Sequence, residues 1–169
     1  EIYRCDWSSD VCSSDLSVWI LQTRYFANHG WNVLAIDLPG HGRSGGKAPT
    51  SVQEAAQCVI ALLDTAGVDK AILVGHSFGS LIAMQAAAEH PKRVSQLVMV
   101  GTAYPMRVSP ALLENSIQNP HQAIDMVNVF SHSTLAPPPS ALGPGTWLLG
   151  GSKALMRRVL ASNPRENIF

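Results

Sequence analysis

The run Leu73-Val74-Gly75-His76-Ser77-Phe78-Gly79 is strand-forming up to Val74, breaks into Gly-X-Ser-X-Gly, and is followed by an Ala-rich stretch from Leu81 to Glu89. Glycines two residues either side of Ser77 let the backbone turn in a space too tight for side chains. The spacing therefore predicts a strand-to-helix corner with the Ser77 hydroxyl raised on it, the placement a nucleophile needs. The bare five-residue pattern recurs by chance, so its weight comes from its flanks. Ala71-Ile72-Leu73-Val74 reads as a buried strand, and Leu81 to Glu89 read as a helix.

Working outward, Ser51 to Glu54 has the form of a capping box, in which hydroxyl and carboxylate each satisfy a free N–H at a helix start. The stripe Val52, Ala55, Ala56, Val59, Leu62 and Leu63 continues that helix to Gly67. Before it, Trp31 to Ile36 is near-continuously apolar, as in a parallel strand covered on both faces, and Val18 to His29 carries helical spacing closed by Gly30. After the corner, Pro91 limits the helix and Gln96-Leu97-Val98-Met99-Val100 is the next strand. Strand, helix, strand, helix, strand is a doubly wound α/β pattern with right-handed crossovers. Beyond Gly101 the texture changes: Ala111 to Gln118, His121 to Phe130 and Ser152 to Ala161 read as helices, parted by Pro120 and the Pro/Gly-rich stretch 136–145.

Two motifs in this order carry a family resemblance. The elbow Gly75-His76-Ser77-Phe78-Gly79, preceded by Asp37-Leu38-Pro39-Gly40-His41-Gly42-Arg43-Ser44 after its own strand, resembles the α/β-hydrolase superfamily over roughly Ser17 to Thr102. The resemblance implies a partial α/β-hydrolase, with a parallel sheet and flanking helices over residues 17–103. It also implies a helical cap segment over residues 104–169, which shapes substrate choice. A plainer alternative is that the later helices shield a sheet edge.

With 169 residues, 46% of them apolar, the chain can bury one core, yet the implied fold usually needs more, so a fragment is expected. Formal charge is zero and no basic run occurs, which argues against a nucleic-acid footprint or polybasic anchor. No apolar stretch reaches a bilayer span and no leader pattern opens the chain, so a soluble, cytoplasmic protein is expected, its oligomeric state unassigned. Asp6 to Leu16 resembles the translation of a sequencing-library adapter, codon for codon, and residues 1–16 are set aside as a non-native leader. That removes Glu1, Asp6, Asp10, Asp15 and Arg4, leaving 11 basic against 8 acidic side chains. Cys5 and Cys12 go too, and Cys58 is left alone in a predicted helix as a small packing residue.

A serine hydroxyl is a weak nucleophile until an imidazole removes its proton and a carboxylate orients the imidazole. The resemblance implies Ser77 as nucleophile and the Phe78 N–H in the oxyanion hole, with a second N–H from a loop just before Ser17 that the adapter-like stretch is expected to have replaced. The acid and histidine follow the nucleophile in this fold, and the only in-chain pair in that order, Asp125 with His132, lies in the cap-like region without a strand to fix it. This chain by itself is therefore expected to be inactive. His76 and His41 are pocket candidates, although a packing role for His76 and a turn-stabilising bond for His41 are the favoured readings. Asp37 is expected to bond loop N–H groups, and His29 and His90 to sit at helix C-termini. No metal spacing, phosphate cradle or cofactor motif is found, and the expected partner is a small-molecule substrate.

The function so implied is a serine hydrolase acting on a small carboxylic ester through an acyl-enzyme. A carbon-carbon bond hydrolase, a cofactor-free perhydrolase, an acyltransferase or a non-catalytic ligand receptor on the same fold are the alternatives.

Overall fold

A computed structural model of the protein describes residues 3–8, 16–130 and 144–162. Four parallel strands form one sheet in the order β2-β1-β3-β4: β1 is Tyr3–Ser8, β2 Asn32–Ile36, β3 Ala71–His76 and β4 Val94–Val100. A 3₁₀ turn, Leu16–Trp19, leads into α1, Ile20–Asn28; α2 is Val52–Thr65 and α3 is Phe78–Glu89. The remaining helices are α4, Pro110–Gln118, α5, Pro120–Phe130, and α6, Pro144–Ser162.

The central strand forms for the reason its composition predicts. Ala71 to Gly75 are all buried, and side-chain alternation sends Ala71 and Leu73 toward α2 and α3, where they meet Val59, Leu63, Ile82 and Ala86. Ser51 caps α2, accepting the Glu54 N–H at 3.1 Å. Glu54 departs from the expected box: its carboxylate accepts from the N–H and hydroxyl of Thr50 at 2.7 and 2.9 Å, one residue earlier than the cap itself. These bonds hold its pKa below the ordinary value, the Thr50 N–H contributing most. The turns after α2 and β4 use Gly67 and Gly101, both at positive φ.

Three expectations are corrected. The sheet has four strands where three were expected, because residues 3–8, set aside as a leader, pair in register between β2 and β3. A ladder asks only for backbone N–H and C=O groups, so a polar sequence can fill this position. Second, β4 begins at Val94, before the Gln96 expected, and it lies at the end of the strand order among the described residues, with Val98, Met99 and Val100 between 39% and 45% exposed. Third, α6 begins at Pro144, well before the Ser152 expected and inside the Pro/Gly-rich stretch read as parting the helices, since proline is well tolerated in a helix's first turn.

The later helices pack on one another. Ile124 and Val127 of α5 and Met156 of α6 form a second small cluster, bordered by Leu112 and Leu160. Asp125 of α5 pairs with Lys153 at 2.6 Å and Arg157 at 3.5 Å, both on α6. Arg158 of α6 reaches the Ser17 hydroxyl at 3.4 Å, which ties this group to the start of the 3₁₀ turn.

Candidate active site

β3 runs into α3 through one residue, Ser77, whose backbone lies at φ 51°, ψ −122°. Among the described residues it alone combines a positive φ with a side chain. Such a conformation costs about 1–3 kcal/mol and persists only where the surroundings impose it. Two features impose it here. The Ser77 N–H is donated to the carbonyl of Val100 on β4 at 2.9 Å, while its own carbonyl accepts the N–H and the hydroxyl of Ser80. Gly75 lies under the turn, where a Cβ would stand 2.6 Å from the Ser80 Cα and overlap the Gly79 carbonyl.

Ser77 occupies the N-cap position of α3, yet its side chain makes no capping bond. Serine at an N-cap ordinarily spends its oxygen on a helix N–H. Here the strained backbone turns the hydroxyl out of that role. Phe78 opens the helix, where leading N–H groups lack intrahelical acceptors and the helix dipole is positive. The corner thus sets Ser77 directly before the first residue of α3.

The surroundings sort the other candidates. The His76 imidazole packs on the turn after β4: a Cβ on Gly101 would stand 3.2 Å from its Nε2. His41 Nδ1 lies 3.0 Å from the Pro39 carbonyl, a bond within its own turn. Asp37, 9% exposed, uses both carboxylate oxygens: Oδ1 accepts the Leu16 N–H at 2.7 Å and Oδ2 the Arg43 N–H at 2.8 Å. Gly42, at φ +53°, is needed because a Cβ there would overlap that carboxylate. His29 bonds the Tyr25 carbonyl at 2.6 Å and stacks on its ring, and His90 contacts Gln57.

Asp125 is engaged by Lys153 and Arg157, and His132 lies outside the described residues. The link from Leu16 to Asp37 was not foreseen from the sequence, since a backbone donor leaves no residue signature. A groove of about 440 Å³ runs beside β2, lined by Ile36, Leu38, Pro39, Cys58 and Leu62 among others, and Ser77 does not line it. Burial raises the Cys58 thiol pKa, which keeps it protonated and a poor competitor as nucleophile. Among the described residues, no group of three or more His, Cys, Asp or Glu could hold a metal ion, and no helix is long and apolar enough to cross a membrane.

Comparison with known proteins gives a consistent picture. The family model described as alpha/beta hydrolase fold matches residues 12–136. A pimeloyl-[acyl-carrier protein] methyl ester esterase of Edwardsiella ictaluri (strain 93-146) is 46% identical over 68 residues, 40% of this chain and 25% of that protein. A 2-hydroxy-6-oxononadienedioate/2-hydroxy-6-oxononatrienedioate hydrolase of Paraburkholderia phymatum (strain DSM 17167 / CIP 108236 / LMG 21445 / STM815) is 34% identical over 117 residues, 62% of this chain and 41% of that one. Among solved structures, Est816, described as an N-acyl homoserine lactone degrading enzyme, matches with a TM-score of 0.80 at 27% identity, covering 100% of this chain and 62% of its own. The chain thus spans about three-fifths of that solved relative.

Proposed function

Because the chain belongs to the alpha/beta hydrolase fold family, we propose that its parent protein is a serine hydrolase that opens a small carboxylic ester through an acyl-enzyme on Ser77. The Ser77 Oγ adds to the ester carbonyl carbon as its proton passes to an imidazole. The carbonyl oxygen, now negative, is held by the Phe78 N–H and by a second amide from the parent's own loop ahead of Ser17, whose place the adapter-like residues take in this chain. Collapse of this intermediate returns the proton to the departing alcohol, and water then releases the acid by the same steps.

The observation that carries the reading is the Ser77 backbone at φ 51°, ψ −122°, with a hydroxyl not spent on capping the helix it opens. Local folding alone gives no reason to hold a serine in that conformation. Relatives named as an ester esterase and a lactone-degrading enzyme support a carboxylic ester or lactone as substrate class. The base and its orienting acid are proposed to lie in parts of the parent beyond these 169 residues, since Asp125 is occupied by Lys153 and Arg157. The 169-residue chain alone is then expected to turn over no ester.

Labelling of the full-length protein with a fluorophosphonate tests this reading. Modification should map to Ser77 and disappear in Ser77→Ala; an unlabelled Ser77, or a label on another residue, sinks it. A second reading, cleavage of a carbon-carbon bond next to a carbonyl, draws on the 34% identity to a 2-hydroxy-6-oxononadienedioate hydrolase over 117 residues. Identification of the products released by the full-length protein separates the two.

A further inference from the structure

We propose that Ser80 is a positioning residue for the reaction: its buried hydroxyl, donated to the Ser77 carbonyl, fixes the plane of the peptide that carries the Phe78 N–H. The inference rests on the hydrolase reading and extends it to a residue outside the nucleophile, base and oxyanion set.

Position 80 is polar where its buried neighbours are not. Ser80 is 0% exposed, and the other buried residues of α3, Gly79, Ile82, Ala83 and Ala86, carry no polar side-chain atom. A hydroxyl taken out of water costs free energy unless it finds an acceptor, and alanine would fill the same space in a helix already rich in it. Serines in helices commonly return the hydroxyl to a carbonyl one turn back. What matters here is which carbonyl is chosen. Ser80 donates its N–H, at 3.0 Å, and its hydroxyl to the carbonyl of Ser77.

That carbonyl and the Phe78 N–H belong to one peptide unit. Because the unit is planar and trans, the two point in opposite directions, so an oxygen held from α3 sets the direction of the N–H on the far side. The preceding peptide is held as well, by the Ser77 N–H on the Val100 carbonyl at 2.9 Å. The φ and ψ of Ser77 are the only soft rotations between these two planes, so fixing both planes holds the angles at 51° and −122°. Bonds to the carbonyl also polarise the amide and strengthen its N–H as a donor. Ser80→Ala removes the hydroxyl and leaves the N–H bond, so the plane is loosened but not released. A donor that must align with the developing oxyanion loses effect when its anchor loosens, and misplacements of about 1 Å cost up to about a hundredfold in rate.

The test uses the full-length protein and its Ser80→Ala variant. Ser-Phe occurs once in these 169 residues. Isotope labelling of serine carbonyl carbons and phenylalanine nitrogens therefore gives the Ser77–Phe78 peptide its own magnetic resonance signal, assigned by its absence from Ser77→Ala. In Ser80→Ala its carbonyl carbon and amide nitrogen should both move upfield, as for a carbonyl that has lost a donor. Turnover per site, with sites counted by the end point of fluorophosphonate titration, should fall by about ten- to a hundredfold while KM stays near its wild-type value. Affinity for a trifluoromethyl ketone, which forms a bound oxyanion, should fall by a similar factor. Ser80→Cys keeps a weaker donor in place and should lie between the two; it replaces Ser80→Ala if that variant does not fold. Unmoved resonances overturn the proposal, as does turnover per site within about twofold of wild type. So does a loss of activity that matches the loss of titratable sites, because a purely structural residue behaves that way. A wild-type protein that takes no label at Ser77 counts against the hydrolase reading instead, and the resonance shift is read independently of it.

Discussion

Ser77 and Val100 are joined by a backbone bond of 2.9 Å, from the N–H of the first to the carbonyl of the second. β3 and β4 are still in register at His76 and Val100, so the corner is turned while the chain remains attached to its neighbour. The attachment holds Ser77 at a positive φ that a side chain disfavours. Ser77→Gly should therefore stabilise the fold by about 1 kcal/mol, the relief of strain exceeding the extra entropy of glycine in the unfolded chain. Urea denaturation of Ser77→Gly and Ser77→Ala gives the comparison. Equal midpoints for the two variants would contradict a strained corner.

Gly75→Ala probes the same corner from beneath. The added carbon would lie 2.6 Å from the Ser80 Cα, and its other close neighbours are also backbone atoms, which cannot swing aside. A loss of about 1–3 kcal/mol is expected, as for overpacking in a tight core. Fluorophosphonate labelling of the full-length protein should fall with it, because the elbow must shift to make room. Wild-type stability and labelling together would show the turn to be looser than described.

The Thr50–Glu54 contact carries a pH signature. Hydrogen bonds from Thr50 lower the Glu54 pKa in the folded state, so the folded protein favours the ionised form. The contribution is complete above the ordinary value of 4.5 and is lost as pH falls through the lower folded value. Glu54→Gln should accordingly be less stable than wild type at pH 7, with the gap closing in acid. Thermal melts at pH 7 and pH 3 measure it, and a gap that widens on acidification has the wrong sign.

Asp125→Asn separates a surface clasp from a catalytic acid. The aspartate and its two cations are partly exposed, at 45%, 35% and 45%, so the loss of stability should stay under about 1 kcal/mol. Turnover by the full-length protein should stay within about twofold of wild type. A loss of several orders of magnitude would instead identify Asp125 as the carboxylate that orients the base.

Much of this architecture could be read from residue order. The apolar run at Ala71 to Val74, the Ser51 cap and the Gly67 stop are local signals, and local signals place elements well. The elbow was legible because two glycines and a serine have steric consequences that do not depend on distant chain. What could not be read depends on partners remote in sequence. β1 is held by ladders to β2 and β3, which any backbone can form, so its side chains do not announce it. The exposure of β4 follows from its place at the end of the strand order, which hydropathy does not encode. Asp37 could be read as a loop anchor, but its hold on Leu16 could not, because the donor is a main-chain amide.

The dihedral angles at position 77 belong to the main chain, and so does the penalty they carry. Any L-residue with a β-carbon placed there meets a comparable conformational cost, whatever group sits beyond that carbon. Exchange of the alcohol for a thiol or a carboxylate would thus leave the scaffold's folding energetics nearly level while altering the reactive atom. Position 77 is in that sense an interchangeable socket, in which reactivity can be varied independently of architecture.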